Sequence, residues 1–360
     1  MSRPSRTLRE LTAVTPSPGS WVAATQAMLA VVLPAVVFTA AGAASLGLLA
    51  SFGALVVMYL SGRSRRERAA KLPVIAAGFV LGSLLGILTG DSLTASLLAI
   101  GAVAIAFSFL SLAFDVGPPG AIFPVLTTGS MGQLTAPASS GGAAMDPGVV
   151  LATIVVGILA GYAAVVAPLL VPAVRRRDAL APADHGWTFT FTPESARILA
   201  RLTVGILLAL LVSAALGLHH AAWVLLAVLG ILQKDADVHR GTIRMAQRVL
   251  GTALGGALAL LFLLWTPERL ALLTIVGVLV FGFVALVRRN LLFALMLVTP
   301  MALLLVTGGD RDRLLESVLA RVGDTAIGAV VAVLVLGAVL LSRRAGRRLP
   351  ASPTHTKGAV

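Results

Sequence analysis

The chain contains no cysteine, which excludes a disulfide framework, a thiolate metal site and a cysteine nucleophile. Charge is scarce as well: 12% of the 360 residues are Asp, Glu, Lys or Arg, against roughly 25% in an ordinary soluble domain. That inventory, 28 basic and 15 acidic residues, is too small to coat a water-soluble fold of this length. Aromatics reach only 5%, which removes the stacking platforms that single-strand nucleic acid binders need, so nucleic acid is not an implied partner. The histidines lack a metal-ligand arrangement, no Gly-x-x-x-x-Gly-Lys loop occurs, and the acidic loops are too sparse for magnesium-diphosphate chemistry. The residues therefore point to no metal, no cofactor and no enzyme.

What is abundant is apolar sequence, at 58% of the chain. A helix needs about 20 apolar residues to cross the hydrocarbon core. Twelve such runs lie near 21–41, 43–62, 72–90, 93–114, 118–136, 148–173, 198–217, 219–234, 246–265, 269–287, 290–307 and 317–342. The fifth is interrupted by Pro118, Pro119, Gly120 and Pro124, and the eighth has an apolar core of only Ala221 to Leu232. The expected fold class is therefore an all-α polytopic membrane protein of about twelve transmembrane helices. The division is a tail at 1–20, a first six-helix half at 21–173, a short basic linker at 174–197, a second half at 198–342 and a basic tail at 343–360. An N-terminal signal peptide is the less favoured reading of the first 45 residues, because the apolar run is long and further spans follow at once.

The formal charge of +13 finds its explanation in this layout. With the N-terminus inside, 24 of the 28 Lys and Arg fall on the cytoplasmic side, from Arg3, Arg6 and Arg9 to Arg343, Arg344, Arg347, Arg348 and Lys357, with Lys234 among them. Arg269, Arg311, Arg313 and Arg321 remain outside. Such a bias sets orientation and attracts anionic lipid of the cytoplasmic leaflet. The location this implies is the plasma (inner) membrane, with both termini cytoplasmic. Trp21, at an inner span end, and Trp223 and Trp265, near outer ends, read as interfacial anchors.

Internal similarity runs at two scales. The halves match at a shift of 170 to 176 residues, and each fifth span carries a proline with hydroxyls nearby, Pro124 with Thr127 and Thr128, Pro300 with Thr299 and Thr307. At a shift of 73, Arg248-Val-Leu-Gly251-Thr252-Ala-Leu-Gly255 reads like Arg321-Val-Gly-Asp324-Thr325-Ala-Ile-Gly328. In the first half, Gly82 and Gly86 stand 75 residues before Gly157 and Gly161. Three spans separate each pair, so the copies enter the membrane from opposite sides, as inverted repeats do. For the glycines alone, close helix packing is a sufficient reason. The shared Arg-x-x-x-Thr favours a common ancestral unit.

Few residues are placed to carry chemistry. Arg240, Arg244 and Arg248 recur every four residues on one helix face, where they either anchor the helix or collect organic anions. Arg321 and Asp324 fall one to two turns inside the last span. There they either neutralise one another at a spacing of three or serve anion attraction and proton exchange. Asp324 is the one carboxylate clearly within a span. His219 and His220 either cap a helix or sense pH at an outer turn.

These residues carry a resemblance. Phe191-Thr-Pro-Glu194-Ser-Ala-Arg197, His220-Ala-Ala-Trp223, Gln233 and the Arg248 to Gly255 segment, with the later Arg321 to Gly328 segment, are similar to the fusaric acid resistance and aromatic acid exporter family. The likeness covers about residues 190–342. It implies an inner-membrane exporter of aromatic carboxylic acids or related anions, driven by the proton gradient. Arg244, Arg248, Thr252, Arg321 and Thr325 would meet the substrate, Asp324 would carry protons, and Gly251, Gly255, Gly328, Gly82 and Gly86 would pack helices. Plant malate-type anion channels are distantly similar, which keeps passive conduction open. A non-transport scaffold or assembly partner and a homo-oligomer are also compatible with the glycine-rich faces. The first half matches only in span layout and glycine spacing and lacks an Arg before Gly82. The sizeable cytoplasmic domain of larger family members is replaced by about twenty residues, Arg175 to Pro193.

Overall fold

The computed structural model describes residues 3–17, 19–181, 186–233, 238–261, 268–307 and 311–346. Lys234, Trp265, Arg347, Arg348 and Lys357 lie outside the described residues, as do the side chains of Arg3, Arg6, Arg269, Arg311, Arg313, Arg343 and Arg344. The described structure is helical: α1 (Arg3–Thr12), α2 (Ser20–Ala40), α3 (Ala44–Ala54, continued as a 3-10 turn over Leu55–Met58), α4 (Arg65–Thr89), α5 (Leu93–Ala113), α6 (Ile122–Thr135) and α7 (Pro147–Val166). The chain continues through α8 (Pro172–Ala179), α9 (Pro193–Ala215), α10 (Ala221–Leu232), α11 (Val238–Leu260), α12 (Arg269–Leu286), α13 (Leu291–Thr307) and α14 (Arg311–Gly346).

Local chemistry accounts for several starts. Ser64 accepts the N–H of Glu67 at 3.1 Å, Ser92 that of Ala95 and Asp146 that of Val149, each satisfying a donor that the first turn leaves without an intrahelical partner. Pro147 and Pro193 occupy the first helical position, where a missing N–H costs nothing. Asp178 of α8 adds to the start of α4 by accepting the N–H groups of Arg65 and Arg66 at 2.7 and 2.9 Å.

Length separates two kinds of helix. Six described helices are long and apolar enough to cross a membrane: α2, α4, α5, α7 with its 3-10 extension, α9 and the Leu314–Leu341 part of α14. Their outward faces are apolar, as along α4, where Val74, Leu81 and Leu88 are 59%, 60% and 71% exposed. The opposite face of that helix buries Leu72, Phe79, Gly82 and Gly86. An apolar surface of this extent faces lipid rather than water. The chain is thus a multi-pass membrane protein.

Apart from α11, which runs 23 residues, the remaining helices are shorter. The interrupted fifth run forms α6, with 14 residues beginning only at Ile122, and the eighth forms α10, with 12. At about 1.5 Å per residue these are roughly 21 and 18 Å long, less than the roughly 30 Å of a hydrocarbon core. Their burial compensates. Phe123 to Gly132 of α6 and nearly all of α10 are enclosed by other helices, the place for a helix that is apolar all round.

The packing is crossed. In the first half α4 lies on α6 and α3 on α7; in the second, α11 lies on α13 and α10 on α14. The halves join through α2 on α12 and α5 on α9. At all four crossed contacts a glycine on the long helix faces a backbone carbonyl of the short one. A Cβ on Gly86 would come within 2.0 Å of the Thr128 carbonyl, on Gly157 within 1.8 Å of that of Ala50, on Gly251 within 2.6 Å of that of Leu292 and on Gly328 within 2.4 Å of that of Val224. Gly82 and Gly255 extend two of these contacts, facing Thr128 Oγ1 and the Met296 carbonyl, both at 2.8 Å.

One end of the bundle gathers the basic loops. Arg63 pairs with Asp115 at 2.9 Å, and the Arg288 guanidinium approaches Gly62. The N-terminal segment is tied to the same end. Asn290 donates to the carbonyls of Leu11 and Ala13, Gln247 also donates to that of Leu11, and Thr15 N–H donates to that of Arg289. Residues 187–190, ahead of α9, are packed rather than free: Phe114 meets Trp187 and Phe189 edge-on, and Thr190 N–H donates to the Ala113 carbonyl at 2.7 Å.

Candidate functional site

The contact of α10, α11 and α14 in the second half holds ionic groups deep in an apolar core. Arg248 of α11, Arg321 and Asp324 of α14 are only 6%, 5% and 5% exposed. Leaving such groups inside a membrane protein is costly unless they serve a pathway or find partners. Partners are few: Arg248 Nε, Arg321 Nε and Nη1, and Asp324 Oδ2 are buried without a hydrogen bond. The two guanidiniums are near enough to repel, and the Asp324 charge offsets part of that repulsion at Arg321.

Two residues not singled out for the site shape it. The Arg321 Cζ lies 3.7 Å from the centroid of the Trp223 ring, and Trp223 is 8% exposed. The reading of Trp223 as an interfacial anchor is therefore corrected: its ring is a buried wall of the cationic centre, while Trp21 at the start of α2 is 64% exposed. Gly230 is the second, since a Cβ there would fall 2.2 Å from Arg248 Nη1. Neither role is legible in a linear sequence, where Trp at a span end reads as an anchor and Gly as packing.

Arg321, counted by charge placement among outer groups, is likewise a core residue. Thr252 and Thr325 are buried at 2% each, and the Thr325 hydroxyl donates to the Arg321 carbonyl one turn back on its own helix. Thr299 of α13 is fully buried against Gly255 with its hydroxyl unpartnered. Arg244 stands one turn from Arg248 toward the basic end, half-buried, and Arg240 a further turn on is exposed. The row Arg240, Arg244, Arg248 thus runs from the surface to the core.

The first half has no such centre. Matching Gly82 and Gly86 to Gly251 and Gly255 places Phe79 opposite Arg248, and Phe79 is buried edge-on against Tyr59. The counterpart of Arg321 is Val150 or Ile154, depending on which α7 glycine is aligned with Gly328, and both are fully buried and apolar. Buried arginines elsewhere have structural work. Arg68 donates to the carbonyls of Val57 and Tyr59, and Arg201 to that of Leu232 at 2.7 Å. Each sets a cation at the carbonyl end of a short buried helix, where the helix dipole favours it.

A cavity of about 660 Å³ opens between the halves, lined by Arg63, Glu67, Lys71, Asp115, Thr190 and Gln233 among others. Its charges are paired internally, Arg63 with Asp115 at 2.9 Å and Lys71 with Glu67 at 2.7 Å, so it offers no net charge to an anion. His219 and His220 line a smaller cleft with Gly90, Asp91 and Gln133. His220, in the turn before α10, has its pKa lowered from the ordinary 6.5 by desolvation and by His219, against an opposing effect of Glu316. Among the described residues no group of three or more His, Cys, Asp or Glu is arranged to hold a metal ion.

The ionic centre lies inside the segment that known proteins share. Residues 208–335 match the fusaric acid resistance protein-like family. The chain is also 32% identical over 147 residues to the inner membrane protein YccS of Escherichia coli (strain K12), a stretch that is 39% of this chain and 20% of that protein. The chain thus spans about a fifth of that relative's length. No solved structure matches it. Arg248, Arg321, Asp324, Trp223 and Gly230 all fall within the family segment, whereas Phe79, Val150 and Ile154 fall outside it.

Proposed function

We propose that this protein exports aromatic carboxylic acids or similar organic anions, with Arg248 and Arg321 attracting the carboxylate and Asp324 exchanging a proton during the cycle. The observation that carries the reading is the pair of buried guanidiniums with unpartnered N–H groups beside a buried unpartnered carboxylate oxygen. Two fixed positive charges in a low-dielectric core attract an anion far more strongly than the same charges in water. Charge-assisted hydrogen bonds from guanidinium to carboxylate add geometric fit. Outward movement fits a family described by resistance to an acid.

Asp324 sets the sign of the electrostatics. Ionised, it competes with the substrate carboxylate for Arg321; protonated, it leaves both guanidiniums to the substrate. A proton on Asp324 and an anion at the arginines therefore favour one another. Proton and anion bound together cross together, so the pH gradient that stimulates flux is the one that runs in the anion's direction. Arg244 and Arg240 extend the row toward the basic end, taken here as cytoplasmic on the positive-inside argument. In this reading anionic lipid surrounds that end, both termini are cytoplasmic, and α2 to α7 and α9 to α14 form two six-helix halves.

The crossed packing of α3 on α7 with α4 on α6, repeated by α10 on α14 with α11 on α13, supports inverted three-helix repeats. In such repeats short or broken helices meet at the midplane substrate site. Twelve crossings follow if the short helices are counted with the long ones.

The test is flux of benzoate through purified full-length protein in liposomes, with and without a pH gradient. Gradient-stimulated flux that is lost in Arg248→Ala and Arg321→Ala supports coupled export. Equal flux without the gradient indicates a passive anion pathway. Absence of organic-anion flux under every gradient ends the transport reading in favour of a scaffold role.

A further inference from the structure

The Trp223 and Arg321 contact has a geometry that packing alone does not require. A guanidinium carbon 3.7 Å above the centre of an indole is at stacking distance, the arrangement in which Arg, but not Lys, lays its plane against an aromatic face. Stacking uses the face of the guanidinium and leaves its edge. Around that edge Arg321 Nε and Nη1 lie buried without partners, each beside Nη2, with which either makes a parallel pair of N–H donors. Trp223 is itself held: it stands in the first turn of α10, a helix enclosed along nearly its whole length, and α10 is pinned to α14 through Gly328 against the Val224 carbonyl.

We propose that Trp223 is a positioning residue that orients the N–H edge of Arg321, and that this orientation makes the site select planar carboxylates over spherical anions such as chloride. The inference rests on the organic-anion reading above and adds to it the reason for discrimination. A carboxylate presents two oxygens in one plane and gains two parallel hydrogen bonds from an oriented guanidinium edge. A halide is a point charge and gains nothing from the orientation. Without the indole the guanidinium keeps its charge but is free to turn, so the loss falls on the carboxylate alone.

The experiment compares benzoate and chloride transport by wild type, Trp223→Leu, Trp223→Phe and Arg321→Lys in liposomes. The ratio of the apparent KM values is the readout, since a merely structural role would not move it. Trp223→Leu is expected to raise the KM for benzoate about tenfold with the chloride KM within twofold, whereas Trp223→Phe, which keeps an aromatic face, retains most of the preference. Arg321→Lys keeps the charge without the planar edge and is expected to lose the preference with Trp223 in place. It decides the matter if Trp223→Leu does not fold. Wild-type ratios in a folded Trp223→Leu, an unchanged ratio in Arg321→Lys, or equal losses for both anions would overturn the proposal. Wild-type protein that moves neither anion would instead overturn the transport reading on which it rests.

Discussion

The guanidinium of Arg248 lies against Gly230 of α10, so close that a Cβ on that glycine would stand 2.2 Å from Nη1. Gly230→Ala is therefore expected to push Arg248 out of its position while leaving every charge in place. Benzoate flux should fall severalfold. Overpacking of this kind typically costs about 1–3 kcal/mol of stability, which thermal unfolding in detergent would measure. Unchanged flux at wild-type stability would mean that Arg248 has room to spare.

Removing the cations separately tests their shared role. Truncating a buried charged partner commonly costs about 2–5 kcal/mol, so Arg248→Ala or Arg321→Ala should weaken organic-anion binding at least about thirtyfold. Phe79→Ala, at the matching position of the first half, should lower stability by about 3 kcal/mol and leave anion affinity within twofold. Initial-rate transport and thermal unfolding on the same preparations distinguish the two behaviours.

Asp324 gives the pH dependence its sign. An ionised Asp324 repels an arriving anion and a protonated one does not, so affinity should rise as pH falls. Benzenesulfonate, which stays ionised throughout, isolates this effect from protonation of the substrate. Asp324→Asn should bind the sulfonate tightly with little dependence on pH. The same slope in Asp324→Asn as in wild type would move the titrating group elsewhere.

Asn290 links the N-terminus to the second half. Its amide nitrogen donates to the carbonyls of Leu11 and Ala13, and its oxygen accepts the N–H groups of Leu292 and Phe293 at the start of α13. Asn290→Ala removes a helix cap and a tether together. A loss of about 1–2 kcal/mol follows from the cap alone, and hydrogen exchange should accelerate in residues 11–17. Gln247→Ala, which removes one donor to Leu11, should produce a milder version of the same change.

Gly86 tests the crossed packing independently of any charge. A methyl there would meet the Thr128 carbonyl at 2.0 Å, backbone against backbone, with no flexible side chain to yield. Gly86→Ala should destabilise by more than Gly323→Ala, because Gly323 of α14 has open space where a Cβ would point. Comparing the two melting temperatures provides the check.

The sequence by itself determined the class of protein. Runs of apolar residues with little charge permit only helices in lipid, because each backbone polar group must be satisfied within its own segment. It also pointed to where glycine is needed, since close helix contact is a sufficient reason for the recurrence of Gly82, Gly86, Gly251, Gly255 and Gly328, and a neighbouring helix approaches each of them closely. What a linear pattern does not contain is which elements meet. Short helices such as α10 were counted as spans by apolarity, yet their length leaves them to be buried among longer ones. Trp223 had the position of an anchor, and only the packing of α10 on α14 turned its ring toward Arg321. Arg68 and Arg201, counted only among the 24 basic residues of the cytoplasmic side, cap buried helix ends. Arg248, Arg321 and Asp324 were visible as charges out of place, but their convergence depends on α11, α10 and α14 sharing one contact. Periodicity reports the face of a helix, and tertiary packing decides what that face meets.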